Sequence, residues 1–247
     1  MEPGMVLREN DPLAIELIEA IHSGNLESLQ RLLAENPGLA RARITGKKES
    51  SNTPLHAASD WPGYFPNGPA VVRTLIAAGA DPDAPVAGSW HSETPLHWAA
   101  SSDDVEVAEA LIVGGANLEV TGGSIAGGTP LDNAVGYGCW RVARLLVERG
   151  ARVEKLWHAA ALGMTSRVEQ IFTGPSTPSQ KEVNDAFWQA CSGGFRRTAE
   201  YLLASGADLN WIPDYTKQTP LGIATGHDTG REALVGWLRG NGAKSDA

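Results

Sequence analysis

Apolar residues recur along this chain in short bursts with helical spacing, and the bursts come in pairs. One member of each pair reads Val71-Val-Arg-Thr-Leu-Ile76, Val107-Ala-Glu-Ala-Leu-Ile112, Val142-Ala-Arg-Leu-Leu-Val147 and Thr198-Ala-Glu-Tyr-Leu-Leu203. Apolar positions three and four apart predict a helix that buries one face. A glycine follows each burst, in Gly79-Ala-Asp81, Gly115-Ala-Asn117, Gly150-Ala-Arg152 and Gly206-Ala-Asp208, and Gly242-Ala-Lys244 repeats the pattern near the end. Glycine supplies the left-handed conformation in which helices commonly stop.

The other member of each pair starts with a fixed motif: Thr53-Pro-Leu-His56, Thr94-Pro-Leu-His97, Thr129-Pro-Leu-Asp132 and Thr219-Pro-Leu-Gly222. Proline fits the first turn of a helix, and small pairs such as Ala57-Ala58 and Ala99-Ala100 let neighbouring helices approach closely. The Thr-to-Thr intervals are 41, 35 and 90 residues, and the last has room for two degenerate units. Leu156-Trp-His-Ala-Ala160 with Val168-Glu-Gln-Ile-Phe172 is one; Phe187-Trp-Gln-Ala-Cys191 with Thr198 to Leu203 is the other. Pro12 to His22 and Leu26 to Leu33 form an unmarked pair whose Glu16, Glu19, Glu27 and Gln30 suit a water-facing end.

Motif, helix pair and glycine stop, in that order, resemble the ankyrin-repeat family over about residues 12 to 247. The resemblance implies an all-α solenoid of about seven stacked helix pairs joined by β-turns, in a single domain over 1–247. Its units would be an N-terminal capping repeat over 1–46, internal repeats over 47–91, 92–126, 127–153, 154–183 and 184–216, and a C-terminal capping repeat over 217–247. It also implies binding through the turn tips and first helices, which line a concave face.

Mapped onto this chain, those positions are Trp90, His91 and Glu93 before Thr94, and Tyr215, Thr216 and Gln218 before Thr219. Asp60, Trp61, Ser101, Ser102, Tyr137 and His227 mark first-helix ends, while Trp98, Asn133, His158 and Gln189 stand at equivalent places that read as groove floor or core. Eight Trp against four Phe and four Tyr sharpen the picture, because indole combines a large area with a hydrogen-bond donor. Trp61, Trp90, Trp98, Trp157, Trp188 and Trp211 fall on first helices or adjoining turns, and Trp140 and Trp237 on second helices. Trp157 and Trp188 align with the marker His, so groove lining and gap filling are both open for them. Trp61-Pro-Gly-Tyr-Phe-Pro-Asn67 is an insertion, read as an aromatic flap in which Tyr64 and Phe65 close one end of the groove. Thr173 to Gln180 reads as a flexible loop.

Charge and chemistry narrow the function. Twenty Lys and Arg against 29 Asp and Glu give a net charge of -9, which argues against nucleic acid or an anionic membrane as partner. No basic-then-apolar leader and no stretch of transmembrane length appear, which predicts a cytoplasmic protein. Cys139 and Cys191 are too few for a disulfide framework or a four-thiolate zinc site. His56 and His97 belong to the marker and read as structural. His91-Ser-Glu93 lacks the Pro-Cys-x-x-Cys of a zinc deaminase, and Gly122 to Gly128 lacks the Gly-Lys-Ser/Thr of a phosphate loop, so neither metal nor cofactor is expected and the glycine run reads as a mobile turn.

The leading expectation is a non-enzymatic module for a partner protein or peptide. Trp61, Trp90, Tyr137 and Trp211 would anchor the partner, and His91, Glu93, Gln189 and Tyr215 would orient it, with Tyr64, Phe65, Trp98, His158 and Trp188 completing the face. The alternative is a site for a hydrophobic small molecule under the flap, transformed by acid-base chemistry from His158, Asp132, Glu93 and Asp185. Against it, Asp132 replaces a structural His and Asp185 reads as a helix cap.

Overall fold

In the computed structural model, residues 5–46, 50–226 and 231–246 are described. They divide into two compact units, residues 1–151 and 152–247, which are taken in turn. Across the described residues fourteen α-helices form seven consecutive pairs, and His227 lies outside the described residues.

The first unit contains α1 (Pro12–Ser23) with α2 (Leu26–Glu35), α3 (Pro54–Ala58) with α4 (Gly68–Ala77), α5 (Pro95–Ser101) with α6 (Val105–Val113), and α7 (Pro130–Gly136) with α8 (Trp140–Glu148). The marker leucines Leu55, Leu96 and Leu131 and the second-helix residues Leu75, Leu111 and Leu146 are fully buried. Each such burial contributes about 2 kcal/mol relative to exposure.

The Thr-Pro-Leu-His motif is a helix start that also joins repeats. The Thr53 and Thr94 amides donate to Nδ1 of His56 and His97 at 3.2 and 3.1 Å, closing a capping box. Because Nδ1 is thereby an acceptor, the ring hydrogen sits on Nε2. That nitrogen donates to the carbonyl just before the next marker threonine, Glu93 for His56 at 3.0 Å and Gly128 for His97 at 3.2 Å. Burial pulls the His56 imidazole down to about 4, against the carbonyl bond from Glu93 that favours its charged form. Asp132 makes the capping half, accepting from the Thr129 amide at 2.7 Å and its hydroxyl at 2.9 Å.

Turn tips are joined by a second ladder. Asp81 accepts the amide of Asp83, whose own carboxylate accepts the amide of Asn117 at 2.8 Å, and Asn117 in turn accepts Glu119. Asp81 and Asn117 thus each shape their own turn, and Asp83 ties the first turn to the second.

Two expectations for this unit change. The N-terminal segment is more than a helix pair: β1 (Val6–Arg8) pairs parallel with β2 (Arg43–Thr45), Leu7 opposite Ile44, and β2 pairs antiparallel with β3 (Ser51–Asn52). The 61–67 insertion, in turn, is a brace rather than a flap. The Tyr64 amide donates to Asp104 at 2.6 Å, its hydroxyl donates to the Asp103 carbonyl and accepts from Arg141 at 2.9 Å, Phe65 stacks on His22 at 4.2 Å, and Asn67 donates to the Gly24 carbonyl at 2.9 Å. It thus spans the hairpin turns on either side of its own.

The second unit contains α9 (Leu156–Ala161) with α10 (Thr165–Phe172), α11 (Gln180–Gly193) with α12 (Arg196–Ala204), and α13 (Pro220–Thr225) with α14 (Glu232–Gly240). Phe187, Leu202, Leu221 and Leu238 centre its core. Helix α11 starts well before the degenerate motif at Phe187, because Ser179 and Glu182 form a capping box at its head. Asp185 therefore lies in the second turn of α11 and caps nothing, which corrects the expectation drawn from the sequence. At Thr219, where Gly222 replaces the marker His, Asp246 accepts the Thr219 amide at 2.7 Å in its place.

Candidate functional site

Within the first unit, a cleft of about 370 Å³ opens between the small sheet and the first helices. Ile44 from β2, Ile18 and His22 from α1, Ala57 from α3, Val86 from the turn between α4 and α5 and Trp98 from α5 line it, with Glu9, Asp60 and His91 around them. Burial raises the Asp60 carboxyl, partly countered by the Trp61 amide and His22. Of the tryptophans named from sequence only Trp98 lines the cleft, set edge-on to His56 at 4.9 Å. Trp90 is 82% exposed and edge-on to His91 at 4.7 Å. Trp61 is 78% exposed, while Tyr64 and Phe65 belong to the brace and do not line the cleft.

Glu93 is buried and fully engaged. One carboxylate oxygen accepts from the Ser124 amide at 2.8 Å and from the Asn133 side chain at 2.7 Å, and the other faces His91 Nδ1 at 3.4 Å. Burial would raise its carboxyl, but the donors from Ser124 and Asn133 outweigh it and the net direction is downward. Asn133 also accepts from the Ile125 amide at 3.3 Å, the Ser92 amide bonds to the Gly122 carbonyl at 3.0 Å, and the Ser124 hydroxyl meets that of Tyr137 at 3.1 Å. The glycine segment 122–128 is consequently tied down, contrary to the mobile turn read from its composition. The Gly123 backbone passes so close to Asn133 and His97 that a Cβ would fall 2.6 Å from the Asn133 amide oxygen. The structure thus brings Trp90, His91, Glu93, Asn133 and Tyr137 into one cluster beside the cleft, and leaves Asp132 on its cap.

In the second unit His158 is buried and edge-on to Trp157 at 4.2 Å, with the Lys155 ammonium 5.8 Å from the Trp157 ring. Asp185 accepts the Trp211 indole N–H at 2.9 Å and pairs with Lys181 at 3.2 Å, whose ammonium lies 5.5 Å from the Trp211 ring. Gln189 donates to the Tyr215 hydroxyl at 3.3 Å, and Tyr215 stands edge-on to Trp188 at 5.9 Å. Trp188 itself is buried in the stack, with its indole N–H on the Gln218 carbonyl. Trp157 and Asp185 also line a depression of about 570 Å³.

Sequence reasoning gave no role to Glu9, Ile18, His22 or Ile44, all of which line the first cleft. The available signal was weak: one apolar residue between polar neighbours in Arg43-Ile44-Thr45, too short to identify a strand. No described helix is long and apolar enough to cross a membrane.

A family model for ankyrin repeats, in three copies, matches residues 65–155. A B-cell lymphoma 3 protein homolog from Mus musculus is 27% identical over 83% of this chain and 46% of its own length. Ankyrin repeat and KH domain-containing proteins from Caenorhabditis briggsae and Caenorhabditis elegans are 27% and 28% identical, over 80% and 86% of this chain. The chain spans about half the length of the mouse relative and only 7% and 8% of the nematode ones.

Proposed function

The chain carries ankyrin repeats, and on that premise we propose that it is a non-enzymatic recognition module that grips a partner polypeptide through exposed aromatic residues. One observation carries the reading: the indoles of Trp90 and Trp61 stand 82% and 78% exposed. Tryptophan is enriched among residues that dominate binding energy when a partner covers them. Trp90 adjoins His91 and the buried Glu93, whose bonds to Ser124 and Asn133 hold the turn in place. A rigid support of this kind lowers the ordering cost of binding.

Acid-base catalysis has less behind it. The Glu93 carboxylate is engaged by Ser124 and Asn133, and Asp132 accepts the Thr129 amide, so both already have structural partners. The same reading places the protein in the cytoplasm, where its two unpaired cysteines, Cys139 and Cys191, remain thiols.

The test is a photo-crosslinking residue at position 90 of the full chain, with the captured protein identified, purified and titrated against wild type, Trp90→Ala and Trp61→Ala. The expected outcome is a roughly tenfold or greater loss of affinity for Trp90→Ala. Equal affinity for all three proteins overturns the reading.

A further inference from the structure

We infer that the cleft of the first unit is the seat for one long cationic side chain, arginine or lysine, presented by a partner peptide. This rests on the polypeptide-binding reading above and adds the chemistry of what is bound. The lining of the cleft combines apolar Ile18, Ile44, Val86 and Trp98 with the carboxylates of Glu9 and Asp60 and with several serines. No Lys or Arg is among the described residues that line it. An apolar channel bearing carboxylates matches a side chain with a long apolar stem and a charged head.

Three further observations agree. Trp98 puts an aromatic side chain in the lining, a residue type that attracts cations. Burial raises the Asp60 carboxyl, with the Trp61 amide and His22 countering only part of it, so an added cation at this wall would be favourable. A second depression, which shares Ile18 and His22 with the cleft, carries Glu19 together with Glu16, the latter paired with Arg31. His22 and His91 are the remaining titratable groups on the cleft wall; His22 is stacked on Phe65 and bonded to the Ala57 carbonyl at 3.1 Å, and His91 faces Glu93. A peptide fits better than a free small cation because Trp90 stands exposed beside His91, outside the cleft but next to its wall. The net charge of -9 also draws basic segments toward the chain.

The experiment is selection of random phage-displayed peptides on the full chain at pH 8, above the ordinary range of histidine, followed by anisotropy titration of the enriched peptides. Enriched sequences are expected to carry Arg or Lys next to an apolar residue. Their affinity should fall at least tenfold with Glu9→Gln plus Asp60→Asn, and equally when the peptide arginine is replaced by citrulline, with the unfolding midpoint of the double variant unchanged. Lys47→Ala plus Lys48→Ala, at positions outside the described residues, should leave affinity the same or higher. Lower affinity in that control marks an anionic ligand and overturns the inference. So does a selection that returns no binder, or only peptides indifferent to the Glu9 and Asp60 changes. Indifferent peptides that still require Trp90 would leave the polypeptide-binding reading standing.

Discussion

The indole N–H of Trp188 donates to the carbonyl of Gln218 at 2.9 Å, the same bond that His56 and His97 make to the residue before the next marker threonine. A residue of different chemistry therefore fills the marker position and preserves the link between repeats. Trp188→Phe keeps the packing but leaves a buried carbonyl without its donor. Its expected cost is about 1–2 kcal/mol in urea unfolding. Trp188→Ala, which adds a cavity, should cost about 3–5 kcal/mol. Equal stabilities for the Phe variant and wild type would show the bond to be dispensable.

The pH dependence of stability follows from His56. Its folded value of about 4 lies below the ordinary 6.5, so the unfolded chain binds more protons between those values and stability rises with pH there. The contribution is complete above about pH 6.5 and is lost as pH falls toward 4, by on the order of 3 kcal/mol in all. Glu93 acts in a lower window: its depressed carboxyl contributes above its ordinary 4.5 and loses that contribution as pH falls through its folded value. Urea midpoints measured from pH 7.5 to 4 should therefore begin to drop near pH 6.5, and His56→Gln should flatten the upper part of that drop. A midpoint constant down to pH 5 contradicts the assignment.

Asp104 has two jobs, capping α6 through the Val107 amide at 3.1 Å and holding the brace through the Tyr64 amide at 2.6 Å. Asp104→Ala should cost about 2 kcal/mol or more. Tyr64→Phe, which loses only the hydroxyl contacts of a half-exposed ring, should cost less than about 1 kcal/mol. Hydrogen exchange should localise both effects to the 61–67 segment and the start of α6; uniform loss of protection across the unit would argue against a local brace.

Trp90→Ala and Trp61→Ala remove side chains that the fold scarcely buries, so each should leave the unfolding free energy within about 0.5 kcal/mol of wild type. Destabilisation beyond 2 kcal/mol for either would mean that its indole serves packing rather than recognition.

Much of the architecture is legible in the residues themselves, because its signals are local. Thr-Pro starts a helix, apolar spacing gives it a buried face and Gly-Ala-Asp stops it, all within one helical hairpin. The four marked pairs follow from those signals, and apolar spacing carries the first pair and the two degenerate ones. The site is less legible, because its members come from distant segments. Glu9 and Ile44 reach the cleft only once Val6–Arg8 pairs with Arg43–Thr45, and no short-range pattern announces that pairing.

The amino-acid order by itself determined the helix pairs, their ends and the excess of indole. Tertiary structure decided which indoles are free and which are sealed, turning Trp188 into a surrogate for a marker histidine and leaving Trp90 in solvent. It also converted the Trp61 to Asn67 insertion from a lid into a brace. The physical reason is range: caps and turns depend on groups a few residues apart, whereas exposure and cleft lining depend on which surfaces meet after the hairpins have packed.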